Sequence, residues 1–501
     1  MSPSTITAQE AASLIRDGQT VGLDGFTMMG VADEIYRAIE ESFLQTGTPA
    51  NLTIVHAAGQ ANRSEGLERL AHRGLIRRII GSHWGLAPKL GTMINDDGVE
   101  GVCLPQGQLS ALLRAIAAHR PGNLSRVGIG TFVDPDIEGG RVNASAQSAT
   151  EPTEFVDRLR IGSQDFLLYK SFPIDVAIFR ASRADAAGNV TQDDEVSGLD
   201  ALALAQAVRN SGGTVICQVK QSVPAGEISA RDVTVPANLI DYIVVTTDES
   251  QFHRQSDTIV QTDDLKSGVI SSAALAAILE ASPVDGNRMA IGRRGAKLAS
   301  PGDVINLGTG VPGDTVGVAL AELGTLSSVT MSIESGVYGG VPLGGTDFGA
   351  ALHPTAIISH GAQFDFYNGG GADIAYMGVG QVTPNGEVNV SKLGGRIIGC
   401  GGFIDILSGA RTICFLMSAR GRHPKFVAKV DHLTFSGQEA IERGQKVFLA
   451  TEDFMLALTP SGWVVREADD TDEARAALAA LPFVPRTTPQ ATHRLSQAKV
   501  N

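Results

Sequence analysis

One carboxylate stands at the end of a strand-like segment. Residues 329–333 alternate apolar and polar side chains, which is the period-two pattern of a β-strand. Glu334 follows at once, and Gly336 then favours a turn. Acids often end strands where water begins. A carboxylate that a strand delivers to the edge of a sheet can, however, also act as a nucleophile.

Three glycine-rich segments are candidates to surround that carboxylate. "GTGVPG" (308–313) lies between a predicted strand and a predicted helix, where backbone N–H groups can hold an anion. "GCGGFIDI" (399–406) would let backbone N–H groups approach an oxyanion. "GVGQVTPNGEVN" (378–389) contains Gln381, which could bond a substrate oxygen. Each segment also has an ordinary interpretation, as a tight turn, a bulge or a solvated glutamine.

Other catalytic chemistries lack their usual residue patterns. The ten histidines show no HxxxH or HExxH spacing, so no metal site is expected. "ESGVY" (334–338) is not a G-x-S-x-G elbow, and no cysteine has a neighbouring histidine. Neither "GLDGFTMMG" (22–30) nor "GTGVPG" matches G-x-G-x-x-G. A carboxylate without a general base remains, and its target must be activated, as a thioester is.

Composition limits the classes of function. The 501 residues, 43% hydrophobic and 19% charged, are typical of a globular protein with two or more domains. The net charge of −14 predicts no binding to nucleic acid or to anionic membranes. The sequence shows no apolar run of about 18 residues and no signal-peptide pattern. The four widely spaced cysteines favour a reducing, cytoplasmic compartment.

The elements that would position the carboxylate alternate between strands and helices, which predicts an α/β fold with largely parallel sheets. "TVGLDGF" (20–26) is typical of a strand, and "ADEIYRAIEESFLQTG" (32–47) of a helix that ends at glycine. Residues 302–323 repeat the same order of strand, glycine turn and helix. We therefore predict two similar open α/β domains, 1–284 and 285–501.

The next strands support this internal repeat. "LTIVHAAG" (52–59) aligns with "VTMSIESG" (329–336) without a gap, and Ala57 lies opposite Glu334. A third aligned pair of segments begins at Asp175 and Asp373, in Asp-Val-Ala and Asp-Ile-Ala respectively. Two copies of one unit, of which one carries the acid, indicate one active half and one supporting half.

The ordered motif set resembles that of family I coenzyme A transferases over nearly the full chain. It is most similar to the fused short-chain acyl-CoA enzymes (acetate or propionate CoA-transferase) and to 3-oxoacid CoA-transferases. The resemblance implies two α/β domains that correspond to α and β subunits, with the catalytic glutamate in the second. Ala32 and Asp33 depart from the usual Pro-Glu pair. The matching motifs are "GFTMMGVADEI", "GIGTFVDPD", "NLGTGVP", "SIESGVYGGVP", "QFDFYNGGGADIAYMG" and "GCGGFIDI".

The resemblance also implies roles for single residues. Glu334 resembles the nucleophile that becomes a glutamyl-CoA thioester, and Gln381 matches a glutamine near the reacting carboxyl group. The resemblance further implies an oxyanion and CoA-binding loop at Gly401, Gly402 and Phe403, with a second glycine turn at Gly308 and Gly310. It implies an acyl pocket at Phe26, Met28, Met29 and Gly30, and weak phosphate contacts at Lys392 and Arg396.

By this resemblance, the expected activity moves CoA between a short-chain acyl-CoA and a free carboxylic acid such as acetate. The reaction would be ping-pong and would need neither ATP nor a metal. The alternatives are an acyl-CoA hydrolase, a 3-oxoacid CoA-transferase that uses succinyl-CoA and acetoacetate, and a non-catalytic acyl-CoA sensor. The family implies a homodimer or homotetramer.

Overall fold

The predicted α/β class is confirmed by two open sheets flanked by helices. The computed structural model describes residues 2–260, 263–266, 268, 284–420 and 425–487. None of the helices in these ranges is long and apolar enough to cross a membrane.

The first half contributes twelve of the described strands and eight helices. The strands are β1 (Ser4–Ile6), β2 (Thr20–Leu23), β3 (Leu52–His56), β4 (Ile76–Gly81), β5 (Glu100–Cys103), β6 (Gly122–Ser125), β7 (Val156–Ile161), β8 (Gln164–Lys170), β9 (Val176–Asp185), β10 (Val190–Thr191), β11 (Thr214–Val223) and β12 (Tyr242–Val245). The helices are α1 (Ala8–Ser13), α2 (Asp33–Thr46), α3 (Pro88–Asn95), α4 (Gln106–Ala117), α5 (Ala144–Ala149), α6 (Ala201–Asn210), α7 (Glu249–Phe252) and α8 (Asp263–Lys266), with 3-10 turns at Leu67–Leu70 and Ala237–Leu239.

The second half contributes sixteen described strands and six helices. The strands are β13 (Val304–Leu307), β14 (Thr330–Ser332), β15 (Val337–Tyr338), β16 (Val341–Pro342), β17 (Ala351–Leu352), β18 (Ala356–Ile357), β19 (Ile374–Gly378), β20 (Gln381–Val382), β21 (Val388–Asn389), β22 (Lys392–Leu393), β23 (Arg396–Ile397), β24 (Thr412–Leu416), β25 (Lys446–Ala450), β26 (Phe454–Thr459), β27 (Gly462–Ala468) and β28 (Arg486–Thr487). The helices are α9 (Gly286–Ala296), α10 (Val311–Glu322), α11 (His360–Asn368), α12 (Phe403–Gly409), α13 (Gly437–Glu442) and α14 (Asp472–Ala479), with 3-10 turns at Leu326–Ser328 and Gly345–Asp347.

Each half builds its own sheet. The first has the strand order β1-β12-β11-β9-β2-β3-β4-β5, and every pair along it is parallel. The second runs β18-β15-β14-β13-β19-β24-β25-β26-β27-β28. Its centre from β14 to β25 is parallel, whereas most of its edge pairs are antiparallel. Parallel strands bring all their carboxyl ends to one edge, where α/β sheets keep ligands.

Local sequence explains the helices that pack on these sheets, as α2 illustrates. Ile35 and Ile39 are one turn apart, and both are buried in the first core, because residues four apart share a helix face. The helix ends at Gly47, whose φ of 76° lies in the left-handed region that glycine adopts without strain. The predicted end at this glycine is confirmed.

The internal repeat appears in the strand register. Asp175 precedes β9 and accepts a hydrogen bond from the N–H of Thr20 at 2.8 Å. Asp373 precedes β19 and accepts the equivalent bond from Val304 at 2.9 Å. The two copies therefore share a strand arrangement and also the side-chain bond that aligns their central strands.

The two halves pack on each other over a common core. Ile397, Cys400 and Ile404 of the second half belong to the largest apolar cluster of the first. Asp405 at the start of α12 accepts bonds from the N–H of Gly107 at 2.9 Å and from Gln108 Nε2 at 2.8 Å. The predicted boundary at residue 284 stays a prediction, since residues 269–283 lie outside the described part of the chain.

Candidate active site

Glu334 follows β14 by two residues and enters a turn that is fixed from both halves. Gly336 has a φ of 101°, and a β-carbon there would overlap the carbonyl oxygen of Ile358. The Oγ of Ser197, from the first half, donates to the carbonyl oxygen of Ser335 at 2.7 Å. The turn therefore requires glycine, and the other half of the chain fixes where the preceding carboxylate lies.

The carboxylate faces a cavity of about 620 Å³ between the two halves. This volume lies within the range of small-molecule sites. Both halves contribute walls, and several of the wall segments follow the carboxyl ends of parallel strands. The lining residues include Phe26, Thr27, Gly59, His83 and Gln106 from the first half, and Asn306, Gly308, Gly310, Glu334, Phe348, Met377, Leu393, Gly401, Gly402 and Phe403 from the second.

The glycine loop before α12 lies against the carboxylate. A β-carbon at Gly402 would overlap Glu334 Oε2 and lie 2.9 Å from the ring of Phe364. Among the described residues, nothing accepts a hydrogen bond from the N–H of Gly402. The N–H of Gly401 donates to the carbonyl oxygen of Ser82 at 2.9 Å. Of the two expected oxyanion donors, the structure therefore leaves Gly402 available and engages Gly401 elsewhere.

Burial raises the pKa of Glu334 to about 7, because a carboxylate loses hydration away from water. The nearby His360 opposes this shift, and Asp405 adds to it. Near neutral pH the group is thus poised between acid and carboxylate, which is the range in which a catalytic group works best.

A buried chain of polar side chains lies beside Glu334. His360 begins α11, and its Nδ1 lies 2.7 Å from Asp200 Oδ2. Its Nε2 lies 2.9 Å from Gln106 Nε2. Burial alone would raise the pKa of Asp200, but His360 holds it below its usual value. Burial and the Asp200 charge raise the pKa of the adjacent Asp24 to about 8.

The structure brings some of the predicted residues together and separates others. Phe26, Gly308, Gly310 and Phe403 line the cavity, and Gly310 precedes the first turn of α10. Gln381 does not line it. Gln381 Oε1 accepts from Asn389 Nδ2 at 2.8 Å, and its Nε2 donates to Asp431 at 2.8 Å. Its carboxamide is thus held in a local network away from Glu334.

The expected acyl pocket is only partly assembled. Met28 packs in the first-half core, and Met29 lies in a small cluster with Phe26 and Ala350. Gly30 follows Met29 with a φ of 67°. Of these four residues, only Phe26 reaches the cavity wall, and Met29 packs in the same cluster as Phe26. Lys392 and Arg396 lie in the β22–β23 hairpin at the cavity rim, where Leu393 is the lining residue.

Comparison with known proteins identifies this arrangement. The family model described as "Coenzyme A transferase" matches residues 5–246. Caffeate CoA-transferase of Acetobacterium woodii is 36% identical, over 96% of this chain and 94% of that protein. The chain belongs to the coenzyme A transferase family. Acetate CoA-transferase YdiF of Escherichia coli K12 is 32% identical to this coenzyme A transferase, over 97% of this chain and 93% of the relative.

A solved structure shares the whole architecture. The thioester complex with CoA of acyl-CoA transferase YdiF from Escherichia coli O157:H7 superposes with a TM-score of 0.86. It is 31% identical, over 98% of this chain and 94% of that one. The expected fold of the coenzyme A transferase type is thereby confirmed, and CoA is the substrate of the family.

Sequence reasoning missed three polar residues of the site, namely Gln106, Asp200 and His360. Gln106 follows β5 as Glu334 follows β14, so a polar residue just past a strand end was an available signal. His360 follows Ser359, whose side chain caps the start of α11. The pairing of His360 with Asp200 had no signal, since 160 positions separate them.

Proposed function

We propose that this chain moves CoA between a short-chain acyl-CoA and a free carboxylic acid, with Glu334 as the nucleophile. One observation carries the proposal: the Glu334 carboxylate faces the cavity directly against Gly402, whose N–H has no acceptor among the described residues. A nucleophile and an oxyanion donor side by side are what attack on a thioester requires.

The reaction follows in balanced steps. A Glu334 oxygen attacks the thioester carbonyl, and the CoA thiolate leaves as an acyl-glutamyl anhydride forms. The thiolate then attacks the glutamyl carbonyl and releases the donor acid, which leaves a glutamyl-CoA thioester. An acceptor carboxylate reverses these steps. One thioester is exchanged for another, so the kinetics are ping-pong, and binding of the CoA body lowers the barrier.

The elevated pKa of Glu334 supports this role. Attack needs the carboxylate, which is abundant above a pKa of about 7. The burial that raises the pKa also strips water from the oxygens, and a poorly hydrated carboxylate is the more reactive nucleophile.

The acyl end is proposed to be short. Phe26 of the first half and Phe348 of the second pack together with ring centroids 5.9 Å apart, and both line the cavity. Caffeate and acetate, from the names of two relatives, are the first acceptors to compare. A panel of acids graded in length, with caffeate added, would rank them by kcat/KM against acetyl-CoA that carries a labelled acetyl group, so that transfer to acetate is also detected. We expect acids of up to about four carbons to have the highest kcat/KM.

Trapping the covalent intermediate tests the mechanism. The enzyme is incubated with acetyl-CoA, digested, and examined for CoA mass or borohydride reduction at position 334. Glu334→Gln should form no adduct and lose turnover. Glu322→Gln alters an exposed carboxylate paired with Arg293 and should behave as wild type. An active enzyme with unmodified Glu334 would refute the mechanism.

Two alternatives are separated by simple measurements. With acetate and propionyl-CoA, a transferase forms acetyl-CoA, whereas an acyl-CoA hydrolase releases only free CoA. A non-catalytic acyl-CoA sensor would show no turnover, and its ligand affinity would survive Glu334→Ala. Succinyl-CoA with acetoacetate tests the 3-oxoacid reaction directly.

The organisation of the molecule is also proposed. Residues 1–284 and 285–501 would act as the α-subunit-like and β-subunit-like domains, and the chain would form a homodimer or homotetramer in the cytoplasm. All four cysteines are free and buried, which supports a reducing compartment. Light scattering on the purified enzyme measures its assembly state.

A further inference from the structure

Most of the backbone N–H groups at positions 401–403, beside Glu334, are already bonded. The N–H of Gly401 is bound to Ser82, and that of Phe403 donates to the carbonyl oxygen of Cys400 at 3.1 Å. Of the N–H groups at positions 401–403, that of Gly402 alone has no acceptor among the described residues. Acyl-transfer sites commonly hold the oxyanion with two donors, so a side chain at the same cavity is the candidate for the second.

Gln106 lies in the right position, and the orientation of its carboxamide decides whether it can donate to an oxyanion. Its side chain lines the cavity, and its Oε1 lies 3.7 Å from the position of a β-carbon on Gly401. Its Nε2 lies 2.9 Å from His360 Nε2. The donor end of the carboxamide therefore faces the imidazole, and the acceptor end faces the glycine loop. An acceptor oxygen cannot stabilise an oxyanion.

The protonation of His360 decides which orientation is possible. Asp200 Oδ2 accepts from Nδ1 at 2.7 Å, so Nδ1 carries a proton. With Nε2 towards the ring, Gln106 donates and His360 Nε2 must accept, which requires a neutral ring. A protonated ring would place a second N–H there, which only the carbonyl oxygen of Gln106 could accept. The carboxamide would then turn and present its NH₂ group to the cavity.

We propose that His360, held by Asp200, is a positioning residue that sets the orientation of the Gln106 carboxamide. With the ring protonated, Gln106 donates to the oxyanion that forms beside Glu334. With the ring neutral, it does not. This inference rests on the proposed function, since it concerns the same oxyanion.

The surroundings of His360 favour the protonated ring. Three acidic residues face the imidazole. Asp200 lies at the start of α6, Asp24 in the loop after β2, and Glu334 in the loop after β14. Burial lowers the pKa of His360, but these three carboxylates raise it above its usual value. On α4, Ser110 Oγ donates to Asp200 Oδ1 at 2.6 Å and accepts from the Arg114 guanidinium. Asp405 of α12 adds a further negative group nearby, since its pKa responds to His360.

Two titrations with opposite signs should therefore shape the rate. Glu334 works as a carboxylate, so the rate of adduct formation falls as the pH drops through its pKa. His360 works as a cation, so the rate also falls as the pH rises through the pKa of the imidazolium. Single-turnover formation of glutamyl-CoA from acetyl-CoA, followed from about pH 5.5 to about pH 9.5, should give a bell-shaped profile.

His360→Gln tests the basic limb of this profile. The amide can still bond Gln106 but does not titrate. We expect the basic limb to disappear, kcat at neutral pH to fall about 10-fold and KM to change less than about 3-fold. The acidic limb should move to higher pH, because the cation that lowers the pKa of Glu334 is gone. A basic limb that persists in this variant would overturn the inference.

His56→Gln is the matched control. His56 is buried and bonded to the carbonyl oxygen of Ala58 and to Trp84 Nε1. Burial lowers its pKa to about 4, so it stays neutral over the tested range. This variant should keep both limbs. Loss of the basic limb here would show that the limb reports general packing, which would also overturn the inference.

Gln106→Met keeps the test decisive if His360→Gln does not fold. It leaves His360 to titrate but removes the carboxamide that turns, so the basic limb should vanish here too. The double variant should be no slower than Gln106→Met, because residues that act in series are not additive. Additive losses would mean that His360 acts without Gln106. If the wild-type enzyme forms the adduct but its pH profile has no basic limb, this inference alone is overturned. If it forms no adduct at any pH, the proposed function is overturned as well.

Discussion

Gly402 and Glu334 touch so closely that no side chain fits between them. A β-carbon at position 402 would overlap Oε2 of the carboxylate, although Gly402 itself has an ordinary helical conformation, with φ of −82° and ψ of −2°. Glycine is required here by space and not by backbone strain. The contact holds the nucleophile beside Gly402, whose N–H has no acceptor among the described residues.

We expect Gly402→Ala to slow glutamyl-CoA formation by about 100-fold, because the new methyl group must displace either the carboxylate or the loop. Single-turnover measurement with acetyl-CoA gives the rate. Gly286→Ala is the control, since no atom lies within 4 Å of the added carbon, and should stay within about twofold. A Gly402→Ala enzyme at the wild-type rate would contradict the role of this contact.

Glu334 should make the protein less stable at alkaline pH. Burial raises its pKa from 4.5 to about 7. Between these values the folded state holds a proton that the unfolded chain has lost, so the free energy of unfolding falls as the pH rises. Glu334→Gln should therefore be more stable than wild type by roughly 1–3 kcal/mol at about pH 8, and nearly equal at about pH 4.5. Urea unfolding at both pH values measures this, and a pH-independent difference would argue against it.

The buried Arg180–Glu195 pair should stabilise the first half. Their side chains lie 2.6 Å apart, and each is 1% exposed. Burial alone would raise the pKa of Glu195, but Arg180 and His253 hold it at about 2. Glu195→Gln leaves a buried guanidinium without its counter-ion and should lower the free energy of unfolding by about 3–5 kcal/mol.

The stabilisation from Glu195 is present above the usual glutamate pKa and is lost as the pH falls towards about 2. Calorimetry at neutral and acid pH should show the difference between wild type and Glu195→Gln shrinking in acid. Glu322→Gln, in an exposed pair, should cost less than about 1 kcal/mol. Equal losses in the two variants would show that burial does not strengthen the Arg180–Glu195 pair.

Gln381→Ala separates the sequence interpretation from the structural one. The carboxamide is bound to Asn389 and Asp431, so its loss should cost about 1 kcal/mol of stability. Both kcat and KM should stay within about threefold of wild type. If turnover instead slowed by about 100-fold or more while folding was unchanged, Gln381 would have to be assigned a role in the active site.

The sequence by itself determined the local features. The alternation of apolar and polar residues before Glu334 and Gly336 predicted a strand that places an acid at a sheet edge. This was possible because the strand period and the turn residues are both local properties of neighbouring residues. The repeat predicted two similar sheets, and the ordered motifs indicated the family. The glycines at 308, 310 and 402 were expected near the acid, and the structure brings them to the same cavity.

Only the tertiary structure decided which polar groups meet. Gln106, Asp200 and His360 follow or begin elements far apart in the chain, and the order of parallel strands and crossovers brings them together. The same packing engages the N–H of Gly401 with Ser82. Hydrogen-bond partners of this kind depend on distances between segments and not on residue type. No spacing along the chain could have shown that Gly402 is available to an oxyanion and Gly401 is not.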